Sequence, residues 1–389
     1  VAHRHGLTGA GNQLWLGDNL GVLAALRASR AGRVDLIIID PPFALGKPRH
    51  QRVAPTDADG PRQVPAFEDT WENGLAGYLA MLEPRLLLMR ELLADHGLLI
   101  VHVDHRAHPY LRVLLDELFG ADLLVNDIVW SYRSGGGSRR RLGCKHDNLM
   151  VYARTESHTF NAEEMRVPYD AVIARSRQAA FHPEGKVAGD VWDISRPPNH
   201  ATEWTGYPTQ KPLALVERLV RAFSPADGLV ADFFCGSGTT AVAAHRLGRR
   251  WLAVDANPAA VHIGRKRLAE LGAAFEVWAA SDSGCEPTGA PCARMVPEGG
   301  GVAVELLDAP GGLDAVDYWA VDFAGDPAGP FVHDWSAGRL GRRVELPRRS
   351  TVGPPGPRPP RVLVADALGR EWISACPDTT SGPPAAAPA

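Results

Sequence analysis

Along the chain, short apolar runs repeatedly stop at polar or turn residues and give way to helix-like segments. Gln13–Leu16 stops at Gly17-Asp18-Asn19, Val34–Ile39 stops at Asp40-Pro41-Pro42, and Gly97–Val103 stops at Asp104 after the helical stretch Tyr78–Leu93. Gly228–Phe234 ends in Cys235-Gly236-Ser237-Gly238 and leads into a helix over Thr239–Leu247, while Arg250–Val254 ends in Asp255 before a helix around Val261–Leu271. Strands alternating with helices in this way predict an α/β fold built on a parallel sheet. In such sheets ligands bind beyond the carboxyl ends of the strands, where these polar stops gather. Ile128–Tyr132 and Leu149–Tyr152 read as antiparallel strands joined by a glycine-rich, basic loop over Arg133–Asn148.

Past about Ala280 the composition shifts to Gly, Pro and Asp, which predicts a first domain over residues 1–280 and a linker over 281–312 that includes Gly299-Gly300-Gly301. A small β-rich module is expected over 313–376, with strands at Val316–Phe323, Phe331–Trp335, Arg361–Val364 and Glu371–Ser374. The tail 377–389 has no core-forming residues and is expected to be disordered.

A chain of 389 residues exceeds the size at which one core usually stops growing, in keeping with a large domain and a smaller one. No run is apolar enough to span a bilayer, and Val1–Gly11 lacks the apolar stretch of a secretory signal, so a cytoplasmic protein is expected. The five cysteines include no C-x-x-C pair, which argues against a zinc ribbon and a disulfide framework. The net charge of -4 means that any affinity for nucleic acid must come from a local basic face.

Three motifs carry candidate chemistry. Asp40-Pro41-Pro42-Phe43 closes an apolar strand, although alone it is also an ordinary strand exit. Asp232-Phe233-Phe234-Cys235-Gly236-Ser237-Gly238-Thr239-Thr240 is a strand, a glycine turn and a helix start, an arrangement that lets backbone N–H groups approach a ligand. A triphosphate-binding loop would need a Lys before the Ser or Thr, and a dinucleotide fingerprint would need a third glycine; both are missing. Asp255, at the end of the next strand, suits the ribose hydroxyls of an adenosine-containing cofactor. Tyr207-Pro208-Thr209-Gln210-Lys211-Pro212 opens the helix that leads to the glycine strand.

In this order, DPPF, KHDNLMVYAR, GYPTQKPLALVERLV, DFFCGSGTT and WLAVDANP resemble the beta-class DNA amino-methyltransferases, in which the catalytic half precedes the cofactor half. The resemblance covers about Leu14 to Leu268 and implies a Rossmann-like, seven-stranded, mainly parallel sheet with one reversed strand. It implies S-adenosylmethionine bound by Phe234, Cys235, Gly236, Ser237, Gly238 and Thr239, with Asp255 on the ribose and Asp18 at the adenine end. Thr209 and Lys211 would lie near the methionine carboxylate and Asp232 near the amino group, while Asp40, Pro41, Pro42 and Phe43 would form the catalytic turn. Phe43 stands where the family more often has Tyr, and Phe233 where it often has Pro; neither change removes a group the chemistry needs.

That chemistry is methylation of an exocyclic amine whose lone pair is delocalised into the base. A carboxylate and a carbonyl that both accept from the amine favour a pyramidal nitrogen, and positioning then supplies most of the rate. N6 of adenine is expected because Asp opens the tetrapeptide, with N4 of cytosine as the main alternative. A catalytically silent regulator of the same fold, or a methylase of RNA or protein, are further alternatives. Double-stranded DNA is the expected partner, and a second copy of the chain and a cognate restriction endonuclease are candidate partners.

Contact with DNA is expected from Ser131–Arg154, where Arg133, Arg139, Arg140, Arg141, Lys145 and Arg154 face only Asp147. Residues 155–203 occupy the place of a target-recognition region. His102, Asp104, His105 and His108 resemble a metal cluster, but strand end and helix start separate them, and no metal is expected. Cys144 and Cys235 are not read as nucleophiles, because one lies in the basic loop and the other in the cofactor turn.

Overall fold

The computed structural model describes residues 2–6, 11–43, 46–53, 62–67, 69–132, 139–140, 142–169, 182–197, 201, 203–279, 290–298, 301–310, 313, 316–323, 331–339, 346–354 and 358–376. Arg133, Arg141, Gly135-Gly136-Gly137, Cys285 and the tail 377–389 lie outside them. The chain divides into two compact units, one formed by Asp18–Arg49 and Pro65–Asp255, the other by Val1–Gly17, His50–Val64 and Ala256–Ala389.

The first unit holds strands β1 (Val34–Ile39), β2 (Leu93–Val103), β3 (Leu124–Ser131), β4 (His146–Ala153), β5 (Val191–Asp193), β6 (Leu229–Asp232) and β7 (Arg250–Asp255). They are ordered β7-β6-β1-β2-β4-β3-β5. β7, β6, β1 and β2 pair in parallel, β4 runs antiparallel to both of its neighbours, and β5 is parallel to β3. The resemblance implies seven strands with one reversed; the sheet to which these strands belong is mainly parallel as expected but has ten strands among the described residues, and β4 is the reversed one in this unit. Leu36, Ile37 and Ile39 of β1 and Leu98–Val101 of β2 are fully buried, as expected of strands covered on both faces.

Helices α1 (Asn19–Arg30), α2 (Leu75–Leu92), α3 (His108–Phe119), α4 (Leu213–Phe223) and α5 (Thr239–Arg246) belong to this unit. α2 buries Tyr78, Leu82, Leu86 and Met89, the spacing of one helix face. Asp18 caps α1 by accepting from Leu20 N at 2.8 Å.

In the second unit, residues 276–279 pair with 2–6 antiparallel and with 13–16 in parallel. Helix α6 (Pro258–Glu270) starts at the cap Asn257, which accepts from Ala259 N at 2.9 Å. Strands at 335–338, 316–322, 361–366 and 371–375 form an antiparallel sheet in that order. His262 and Lys266 of α6 both reach Asp317, at 2.8 Å and 2.5 Å, and the buried Arg265 pairs with Glu371.

Two sequence expectations differ here. Cys292–Glu298 and Gly301–Asp308, expected as linker, pair as a hairpin whose Ala293, Val304 and Leu306 share a core with Trp319, Val321 and Val362. Gly-Gly between two alternating runs is hairpin chemistry as much as linker composition. The strand expected at Phe331–Trp335 instead runs over Trp335–Gly338, because Phe331 is consumed as a fully buried core side chain preceding it. Among the described residues no helix is long and apolar enough to cross a membrane.

Candidate active site

β1 and β2 lie side by side in parallel, so their carboxyl ends present Asp40 and His102 to one another although they are 62 positions apart. His102 Nδ1 and Asp40 Oδ1 are 2.6 Å apart, and Lys211 Nζ donates to Asp40 Oδ2. Burial pushes the Asp40 carboxyl up, but the Lys211 ammonium and the His102 imidazole outweigh it and hold the group at about 2. Phe43 stands edge-on to His102 with ring centroids 5.1 Å apart, and Lys211 Nζ lies 5.7 Å from the Phe43 centroid.

Lys211 is delivered by a braced turn. Gln210 is buried, accepts from Thr205 N and Oγ1 at 2.9 Å and 2.6 Å, and donates to Glu203 O at 2.5 Å. Glu203 Oε2 in turn accepts from Leu213 N at 3.1 Å, satisfying one of the first amides of α4. Tyr207 of the same turn is buried against Gly236: a Cβ placed on that glycine would stand 2.9 Å from Tyr207 Cε1. Gly236 also has φ +48° and Gly238 φ +76°, the left-handed region that glycine enters without strain.

Both carboxylates around the glycine turn are tied to its backbone. Gly236 N donates to Asp255 Oδ2 at 2.8 Å, and Phe234 N donates to Asp232 Oδ1 at 2.9 Å. Thr240 Oγ1 donates to Asp232 Oδ2 at 2.6 Å. Burial pushes the Asp232 carboxyl up to about 7; the bonds from Thr240 and Phe234 oppose this, and the charges of Asp40 and Asp255 add to it. Burial holds the Cys235 thiol well above its ordinary range, which suits a packing role rather than a nucleophile. Ser237 and Thr239 are buried with their hydroxyls 3.3 Å apart.

The geometry sorts the sequence-derived residues. Asp40, Phe43, Lys211, Asp232, Gly236, Gly238 and Asp255 belong to one connected set, in which Lys211 reaches Asp40, and Asp40 and Asp255 both act on Asp232. Lys211, expected beside a cofactor carboxylate, has its Nζ on Asp40 and, at 3.2 Å, on the carbonyl of Thr209. Asp18 caps α1 and pairs with Arg85 at 2.9 Å, while its neighbour Asn19 donates to Phe233 O at 2.7 Å. Arg139 and Arg140 are exposed, and Lys145 gives its carbonyl to Tyr132 N at 2.9 Å.

The apparent metal cluster disperses: His102 faces Asp40, Asp104 caps the turn before α3 through Arg106 N at 3.0 Å, and His108 pairs with Asp127 at 2.7 Å. Sequence reasoning missed His102 as a partner of Asp40. The available signal was a polar residue near the end of an otherwise apolar strand adjacent to the one that ends at Asp40.

A DNA methylase family of the N6/N4 kind matches residues 34–266. The type II methyltransferase M1.MboII of Moraxella bovis is 33% identical over 242 residues, covering 58% of this chain and 85% of that protein. The DNA adenine methyltransferase YhdJ of Escherichia coli K12 is 27% identical over 254 residues, covering 63% and 80%. Among solved structures, PvuII DNA methyltransferase (cytosine-N4-specific) is similar with a TM-score of 0.48 and 19% identity, covering 66% of this chain and 86% of that one. The family match spans more than half of the sequence and includes both the Asp40 turn and the glycine turn, so this chain belongs to the N6/N4 DNA methylase family of amino-methyltransferases.

Proposed function

We propose that the protein transfers a methyl group from S-adenosylmethionine to the exocyclic N6 of an adenine flipped out of duplex DNA. The observation that carries this reading is the meeting of Asp40 with Lys211, whose turn packs through Tyr207 onto Gly236. That contact supports reading the tetrapeptide and the glycine turn as parts of one site.

The residues fit the cofactor. A carboxyl pushed up chiefly by burial, with the charges of Asp40 and Asp255 adding to it, is relieved by a cationic occupant, and S-adenosylmethionine carries both an ammonium and a sulfonium. Gly236 and Gly238 leave room for close approach, Asp232 would hold the ammonium and Asp255 the ribose hydroxyls. When bound, the cofactor supplies an electrophilic methyl group.

The chain's own residues do the rest. Asp40 is ionised across the working pH range, and each carboxylate oxygen has two lone-pair directions, so Asp40 can still accept from an amine while His102 and Lys211 occupy one site on each oxygen. With the Pro41 carbonyl as second acceptor, the amine is held pyramidal and the positive charge growing on it is stabilised. Phe43 offers a stacking face worth roughly 1 to 3 kcal/mol, which offsets part of the few kcal/mol that extruding a base costs. Exposed Arg139 and Arg140 would contribute phosphate contacts.

Incubating unmethylated plasmid DNA with the protein and methyl-labelled S-adenosylmethionine, followed by mass spectrometry of the nucleosides, tests the reading. Label on N6-methyladenine is expected. Label on cytosine alone overturns the choice of base, and label on RNA or protein but not DNA overturns the substrate.

A further inference from the structure

Asp147 of β4 is buried, and two groups approach the same oxygen of its carboxylate. From the exposed side, Arg196 Nη2 donates to Oδ2 at 3.0 Å. From inside, His102 Nε2 stands 3.4 Å from Oδ2, within reach but poorly aligned for a hydrogen bond, and among the described residues that buried nitrogen has no hydrogen-bond partner. Tyr132 holds the other oxygen, donating to Oδ1 at 3.1 Å.

The two claimants differ in what else they touch. His102 is clamped between Phe43 and Trp130, with centroids at 5.1 Å and 5.6 Å, and its Nδ1 is on Asp40. Arg196 lies on the segment after β5 with 46% of its side chain exposed, its guanidinium stacked 3.9 Å over the Tyr132 ring. An Arg stacked on an aromatic ring and half exposed, with one N–H on Asp147, is suited to form a bidentate pair with phosphate through its other N–H groups.

We propose that Arg196 is a DNA contact which, on engaging phosphate, yields Asp147 Oδ2 to His102 Nε2, so that DNA binding aligns Asp147, His102 and Asp40 behind the reacting amine. The proposal rests on the function proposed above. Once Arg196 turns outward, Asp147 is a buried carboxylate short of a partner, a costly state that an N–H on His102 Nε2 relieves. Nδ1–H continues to donate to Asp40, so the second proton is taken up from solvent; the Nε2–H bond is the one covalent bond formed, and Arg196 exchanges its hydrogen bond to Asp147 for one to phosphate. Held at both nitrogens, the imidazole fixes the orientation of Asp40 Oδ1; His102 and Asp147 are positioning residues. Lys211 on Asp40 and Tyr132 on Asp147 keep their contacts throughout.

Histidine side-chain nitrogen spectra, recorded without cofactor during titration with a short unmethylated duplex of mixed sequence, test this directly. His102→Asn assigns the signal by its disappearance. On duplex addition the Nε2 signal of His102 is expected to move to that of a protonated, hydrogen-bonded nitrogen, and Arg196→Ala is expected to show the moved signal before any DNA is added. An unmoved signal with a duplex that binds by fluorescence anisotropy overturns the proposal, as does an Arg196→Ala spectrum equal to that of the free wild type. In methyl transfer to plasmid DNA, Asp147→Asn is expected to lower kcat roughly tenfold at unchanged KM, and Arg196→Ala to act on the KM for DNA by about the same factor. Losses on one and the same parameter overturn the coupling. A wild type that binds duplex and shows the His102 shift but transfers no methyl group defeats the proposed function and leaves the coupling standing.

Discussion

Lys211 and Asp40, 171 positions apart in the chain, form an ion pair at the carboxyl end of β1, and the lysine also stands over the Phe43 ring. The pair joins the Asp40–Phe43 turn to the turn that packs on Gly236, and its charge helps to keep Asp40, the proposed acceptor, ionised.

Lys211→Met removes the strongest influence that lowers the Asp40 carboxyl, leaving burial to push it up from about 2. An acceptor must be ionised to work, so the acidic limb of the kcat against pH profile moves to higher pH in the variant, while in the wild type it lies below the working range. Steady-state profiles of the two proteins check this; superimposable acidic limbs would contradict it.

Gly236→Ala is expected to destabilise the fold and to abolish binding of S-adenosylmethionine. A side chain at φ +48° costs roughly 1 to 3 kcal/mol, and the added Cβ meets Tyr207 at 2.9 Å. Tyr207→Ala in the same background relieves the contact but leaves the backbone strain and removes a buried ring, so it does not restore stability. Urea midpoints and calorimetric titration of the cofactor measure the two effects separately.

Asp232 introduces a pH dependence of its own. Its carboxyl sits at about 7, chiefly through burial, so it is ionised above that pH and increasingly neutral below it. Affinity for S-adenosylmethionine is therefore expected to fall as the pH drops through about 7, with a proton released on binding at the acidic end. Asp232→Asn flattens this dependence and weakens binding at high pH. Isothermal titration in buffers of different ionisation enthalpy reads both quantities, and a wild-type affinity constant across this range would be the contrary result.

Burial lowers His262 from 6.5 to about 4, so the native protein keeps it neutral beneath Asp317. A base whose folded value is depressed contributes stability that is complete above about 6.5 and declines as the pH falls toward 4, because the unfolded chain takes up the proton first. Asp317, held well below the ordinary carboxylate range against burial by His262 and Lys266, loses its own contribution only at still lower pH. The decline from His262 is at most about 3 kcal/mol. Urea midpoints near pH 7 and near pH 5 are expected to differ less in His262→Gln than in the wild type.

Much of the sheet was legible because its strands are short apolar runs with sharp polar ends. Val34–Ile39 is found to the residue, since Arg33 precedes it and Asp40-Pro41-Pro42 cannot continue a ladder. The hairpin at 292–308 was not, because its alternation is embedded in a Gly- and Pro-rich neighbourhood and the burial of Ala293 and Val304 depends on distant Trp319 and Val362. His102 was misread for a similar reason: its proximity in sequence to Asp104, His105 and His108 suggested a cluster, whereas strand pairing gives it Asp40 as partner.

By itself the sequence determined the alternation of strands and helices before residue 280, the glycine turn, the Asp-Pro-Pro-Phe strand exit and the likeness to a family, all of which rest on interactions within a few residues or on motif order. Only the tertiary structure decided which charges face one another. Lys211 on Asp40, Arg196 against His102 on Asp147, and the raised Asp232 are consequences of through-space distance and of the water removed around each group, and neither quantity is written in the spacing along a chain.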